Sequence, residues 1–186
     1  MNWSKDALLA KAKVFFGKAC GEDMDSTYFG MYNALGLELL SRAALAKFSP
    51  ALLADPSSTE NLLYALGLKD VGGKQKSIMM NRVIALCAEL IPDFDKDLQQ
   101  VVTLITERRN EELHTGGGGF AEYDVDKWLA GFYKACQVLG ASMGEDQAKR
   151  ITDIGVMGVY CFMSNFSSPM APRRFIMEIK HYANES

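Results

Sequence analysis

Apolar residues recur at helical spacing along nearly the whole chain, and strict apolar–polar alternation is nowhere sustained. That pattern restricts the fold to helices packed on helices. Ser4 and Asp6 open a first segment with Leu8, Leu9, Ala12 and Phe15 on one face, stopped near Gly17 and Gly21. Asp25 or Ser26 caps a second helix through Phe29, Tyr32, Leu35, Leu39, Leu40 and Ala43. Pro50 and Pro56 bracket a turn, Thr59 starts a short helix ended by Gly67, and Gly72-Gly73 makes a break. The spacing then predicts a helix from about Lys76 to Ile91, with Ile78, Val83, Leu86, Cys87 and Leu90 inward, and Pro92 ends it. The next runs from Phe94 to about His114 and halts at four glycines, Gly116 to Gly119. Asp124 caps a helix carrying Trp128, Leu129, Phe132, Ala135 and Leu139. Two more helices are predicted over Glu145–Met163 and Pro172–Tyr182. The expected fold is all-α: an antiparallel helical bundle with a C-terminal helical extension.

At 186 residues the chain suits one domain with a real core. Ser142-Met143-Gly144 could mark a boundary, but the flanking helices are apolar enough to share that core. With 48% hydrophobic and 23% charged residues, wholesale disorder is excluded. The net charge of −3 excludes a domain that grips nucleic acid by bulk charge, so any such contact needs a local site. Cys20, Cys87, Cys136 and Cys161 lie far apart in apolar or helical stretches, without zinc-ligand spacing, which points to buried thiols in a reducing compartment. The N-terminus has no secretory-signal pattern, and the most apolar run, Ile154 to Met163, is too short for a membrane span. The expected location is the cytoplasm.

One segment stands apart: Glu107-Arg108-Arg109-Asn110-Glu111-Glu112-Leu113-His114-Thr115-Gly116. Leu98, Val102, Ile105 and Leu113 define an apolar stripe, and Arg109 falls about 20° from Leu98 on an ideal helix, within that stripe. A guanidinium there needs a partner or a function. Asn110 and His114, four apart, share an adjacent face. The glycines leave the His114 ring open to a ligand and would let another chain's backbone approach. A purely structural account stands beside this: Arg109 pairs with Glu112 or Glu38, His114 is a cation at a helix C-terminus, and the glycines form only a loop.

The run Arg109-Asn110-Glu111-Glu112-Leu113-His114 resembles the R-x4-6-H motif of the HEPN superfamily, in the form where a polar residue follows the Arg. An earlier stretch, Leu37-Glu38-Leu39-Leu40-Ser41-Arg42-Ala43-Ala44-Leu45, is similar to the second helix of many HEPN proteins. The likeness covers about residues 26–139. It implies a helical bundle that dimerises with two motifs across a cleft. It also implies a metal-independent endoribonuclease, often a toxin or a defence effector against phage and plasmids. Some members have lost catalysis and serve as binding or scaffolding modules. Arg109, Asn110 and His114 are then the catalytic candidates, with Glu38, Arg108 and Thr115 as supporting or substrate-binding ones. One HEPN toxin subgroup follows the His with x-Tyr as a modification target; Gly116 stands at that place here, so such regulation is not supported.

The residue types suit the chemistry. Attack by an RNA 2'-OH needs one proton removed, another supplied to the leaving oxygen, and charge relief at phosphorus. Imidazole exchanges protons near neutrality, and a guanidinium forks onto phosphate oxygens. No cofactor or metal is called for. The chain has two His, His114 and His181, and the second lies outside the resemblance. Arg109 and His114 are about 140° apart on an ideal helix, so one motif does not converge on one atom. A homodimer supplies two motifs and answers both points. The expected partners are an RNA substrate, a second copy of the chain, and a protein such as an antitoxin or defence-complex subunit, with no membrane.

Weaker signals have plain readings. Glu38 and Arg42, four apart, form a structural ion pair, or else Glu38 holds Arg109. Trp128, Phe132 and Tyr133 pack in the core, or else stack bases. Arg173, Arg174, Lys180 and His181 make a basic patch, and Gly72-Gly73-Lys74 lacks the spacing of a P-loop. Beside a plain structural dimer, two functions stand: an endoribonuclease, or a catalytically silent module that binds a nucleotide or a protein partner. Toxicity on expression separates them.

Overall fold

The computed structural model describes residues 2–70 and 75–144. The two helices predicted over Glu145–Met163 and Pro172–Tyr182, the basic patch with His181, and Cys161 lie outside the described residues. The described part is an all-α bundle of six helices: α1 (Lys5–Ala19), α2 (Thr27–Phe48), α3 (Thr59–Ala65), α4 (Met80–Leu90), α5 (Lys96–His114) and α6 (Leu129–Ser142). Short 3-10 turns at Pro50–Leu53 and Val125–Lys127 link them. Among the described residues, β pairing is limited to one isolated antiparallel bridge, Ala54 to Ser77.

Side-chain caps set several helix starts. The Ser4, Ser26 and Asp95 oxygens accept from the backbone N–H of Ala7, Tyr28 and Leu98, each cap contributing about 1 kcal/mol. Gly17 does not stop α1, which continues to Ala19 because Phe16 and Ala19 complete its buried face, leaving Phe15 half-buried. On α2 the inward leucines are Leu37, Leu40 and Leu45, while Leu35 and Leu39 are half-buried. The predicted helix from Lys76 begins only at Met80. Residues before it run extended, with Ser77 bridged to Ala54 and the Ile78 N–H donating to the Leu53 carbonyl at 3.0 Å. Pairing of backbone groups across that bridge competes with the helical pattern and wins locally.

The bundle is organised around α2, against which α1, α4, α5 and α6 all pack. Leu37, Leu40 and Leu45 of α2 meet Val83, Leu98, Val102, Ile105, Leu129 and Leu139 in one core. Two glycines make α2 a good centre. A Cβ at Gly36 would lie 2.3 Å from the Phe16 ring, and one at Gly30 would lie 2.3 Å from the Phe120 ring. Each glycine is a slot for an aromatic ring. Phe29, Phe120, Phe132 and Phe16 surround or extend from Trp128 with ring centroids about 6 Å apart, so Trp128 and Phe132 are core residues. No helix among the described residues is long and apolar enough to cross a membrane.

Candidate functional site

The stripe Leu98, Val102 and Ile105 is buried against the core, and Arg109 continues it at the next turn of α5. Its side chain is 16% exposed, and its Nη2 donates to Glu38 Oε2 of α2 at 2.5 Å. Of the two partners that spacing allows, the structure selects Glu38. The other Glu38 oxygen, Oε1, accepts from Arg42 Nε at 3.1 Å and Nη2 at 2.9 Å. One carboxylate thus bridges two guanidiniums, pairing with Arg42 and with Arg109 at once. Arg42 is anchored further, its Nη1 donating to Ser77 Oγ at 3.3 Å and to the Ile78 carbonyl at 3.1 Å. By contrast, the Arg109 side chain has no second hydrogen-bond partner among the described residues.

Glu112 turns away from Arg109. Its Oε2 accepts from the backbone N–H of Phe120 at 3.4 Å, which ties the turn after α5 back onto the helix. The glycines serve this fold-back. A Cβ at Gly119 would lie 2.1 Å from the Arg108 carbonyl oxygen and 3.1 Å from the Glu112 nitrogen. The close backbone approach expected from another chain is therefore made at Gly119 by the chain itself. Nothing lies within 4 Å of a Cβ at Gly116, so the start of the run stays open.

Arg108 and Thr115 both act in this turn. Arg108 Nη1 donates to Glu111 Oε2 at 2.9 Å, and its guanidinium lies 5.0 Å from the Tyr123 ring centroid. Its buried Nε has no hydrogen-bond partner among the described residues. Thr115 caps α5: its backbone N–H donates to the Glu111 carbonyl at 3.0 Å, and its Oγ1 donates there at 2.8 Å while accepting from Gly117 N–H at 3.2 Å. These contacts set the end of the motif helix.

Asn110 and His114 are exposed, and neither side chain has a hydrogen-bond partner among the described residues. No hydrogen bond joins either to Arg109, which faces α2 while His114 points about 140° away around α5. The structure brings Glu38, Arg42 and Arg109 together and leaves Asn110 and His114 on a separate, outward face. Lys96, Gln100, Thr103 and Glu107 share that outward face, falling with Asn110 and His114 within an arc of about 80° on an ideal helix. Its N-terminal half forms one wall of an open groove of about 570 Å³ between α4 and α5, with Ile84, Ala85 and Leu104 as apolar lining.

Some participants were not singled out by sequence. The anchoring of Arg42 by Ser77 and the Ile78 carbonyl depends on a tertiary turn that carries no periodic signal, and nothing in spacing joins Tyr123 to Arg108. Arg42 itself carried a signal, its i,i+4 distance from Glu38. Cys87 is fully buried, and burial pushes its thiol up to about 12, which makes it a core residue with no nucleophile at neutral pH. Among the described residues, no three His, Cys, Asp or Glu side chains gather as metal ligands. Comparison with models of known protein families, with curated proteins and with solved structures finds no match to this chain.

Proposed function

We propose that the protein is a metal-independent endoribonuclease of the HEPN type, a toxin or defence effector acting at a cleft between two copies. The observation that carries this reading is the state of Arg109. It sits in an otherwise apolar stripe, is held through a single N–H, and keeps the rest of its fork without a partner among the described residues. None of its remaining donors is a buried, unpartnered atom, so they stay open to solvent and to an anionic ligand. Asn110 and His114 on the adjoining turns are exposed and equally unengaged.

In the proposed reaction the substrate 2'-oxygen forms a bond to phosphorus and the bond from phosphorus to the 5'-oxygen breaks. One imidazole takes the 2'-OH proton, and a second supplies a proton to the departing 5'-oxygen. Arg109 lies against the phosphorane oxygens and offsets their charge, and Asn110 orients His114 or a phosphate oxygen. Because Arg109 and His114 diverge on one helix, the two motifs of a dimer complete the site.

The test is RNA cleavage by purified protein in EDTA, comparing wild type with Arg109→Ala and His114→Ala. Cleavage by wild type only, leaving 2',3'-cyclic phosphate ends, supports the reading. Cleavage that survives both substitutions places the chemistry elsewhere. A silent module that binds a nucleotide or protein is the second reading, favoured by the net charge of −3, because an RNase gains from a positive surface. Absence of cleavage on any RNA would turn the assignment to it.

A further inference from the structure

We propose that Arg42 is the positioning residue that keeps Arg109 free to bind an anion; this rests on the reading of Arg109 as a phosphate-binding group. Glu38 has two oxygens and two cationic neighbours. Arg42 occupies Oε1 through both Nε and Nη2, so Arg109 reaches only Oε2, through Nη2 alone. Side-chain exposures of 12% for Arg42, 20% for Glu38 and 16% for Arg109 leave the three groups short of water as an alternative partner. In such surroundings a carboxylate with one guanidinium beside it takes the bidentate, fork-to-fork arrangement. Without Arg42, Glu38 is free to close on Arg109 in that way and to occupy the edge that a phosphate would use.

The two arginines are not equivalent. Arg42 is fully committed: Nε and Nη2 go to Glu38, and Nη1 goes to Ser77 Oγ and the Ile78 carbonyl. That anchoring segment is itself pinned, by the Ala54–Ser77 bridge and by the Lys76 N–H donating to Asn61 Oδ1 at 3.0 Å. Asn61 in turn donates through Nδ2 to the Asp55 carbonyl at 3.0 Å. Arg42 is therefore a fixed clamp on one side of Glu38, and Arg109 is the cation with free donors on the other. The charges agree. One carboxylate between two guanidiniums leaves a single uncompensated positive charge, which one phosphodiester matches.

The experiment uses the full chain and a 2'-deoxy-substituted oligonucleotide, which lacks the nucleophile and so reads binding separately from cleavage. Arg42→Gln is expected to bind about tenfold more weakly, the scale of one lost charge-assisted contact. Adding Glu38→Gln to Arg42→Gln removes the carboxylate that would seize Arg109, and returns binding to within about threefold of wild type. A merely structural Arg42 gives a double variant no better than the single one, which would overturn the proposal. Arg42→Lys keeps the charge without the fork and gives an intermediate loss, and it serves if Arg42→Gln does not fold; wild-type binding by Arg42→Lys would also overturn it. Nitrogen NMR of the Arg109 guanidinium gives a readout independent of any ligand. In Arg42→Gln or Arg42→Lys its rotation slows and its two Nη resonances separate. If the wild-type chain binds no oligonucleotide, the phosphate reading of Arg109 fails, and these resonances still decide the role of Arg42: unchanged, they refute it.

Discussion

Gly116 and Gly119 stand three residues apart in the same run, yet they do different work. At Gly119 an added Cβ meets backbone, the Arg108 carbonyl, which cannot move without distorting α5. Gly119→Ala should cost about 3 kcal/mol in denaturant unfolding, and Gly116→Ala, with open space around it, should stay within about 0.5 kcal/mol of wild type. Equal effects would mean the turn does not fold back as described. The run of glycines was legible in the sequence, but which glycine matters was not, because the contact is tertiary and all four look alike in a linear pattern. Cys87 gives a second residue-scale prediction. Burial raises its thiol from an ordinary 9.0 to about 12, so between these values the unfolded chain releases a proton that the folded chain retains. Its contribution to stability is whole below pH 9.0 and is lost as pH rises towards about 12, with a slope of up to about 1.4 kcal/mol per unit. Denaturation midpoints measured across this range should fall less steeply in Cys87→Ala than in wild type.

On α5, one stripe is apolar along most of its length and charged at its end. Leu98, Val102 and Ile105 bury one stripe, and Arg109 continues it as the charged end that meets Glu38 of α2. Helical periodicity alone places Arg109 in that stripe, but it also places Leu113 there, and Leu113 is 49% exposed. The ring against Gly30 of α2 belongs to Phe120, brought in by the turn after α5, a contact invisible to any pattern read along one helix. Spacing likewise left Glu38 and Glu112 as equal partners for Arg109, since only the packing of α2 on α5 and the pull of Phe120 N–H on Glu112 separate them. The bridged arrangement predicts an order of losses. Arg109→Ala leaves Glu38 still paired with Arg42 and should cost about 1 kcal/mol. Glu38→Ala leaves two half-buried guanidiniums facing each other and should cost about 3 kcal/mol. Urea unfolding of both variants checks this, and the reverse order would mean that Glu38 is not the shared partner.

At the scale of the whole molecule the question is how many chains make one site. The proposed reaction moves two protons, and the motif in one chain offers a single imidazole, His114, aimed about 140° away from Arg109 around α5. Packing within the bundle holds that divergence fixed: Arg109 is drawn to α2 by Glu38, and the Thr115 cap and the Gly119 fold-back set the end of the helix. In the proposed reaction this divergence makes a second copy of the chain the natural source of the second set of groups. If a second copy completes the site, exposed Leu113, beside His114 on the last turn of α5, lies where it would meet that copy, and Leu113→Asp is then expected to shift the protein towards monomer in light scattering. The stronger test mixes chains. Wild type is refolded with an equal amount of an Arg109→Ala, His114→Ala double variant, so that about a quarter of the dimers carry two intact motifs. If one cleft needs both copies, RNA cleavage falls to about a quarter of that of an all-wild-type sample. If each chain works alone, cleavage falls only to about half, and the shared cleft is refuted even with the nuclease intact.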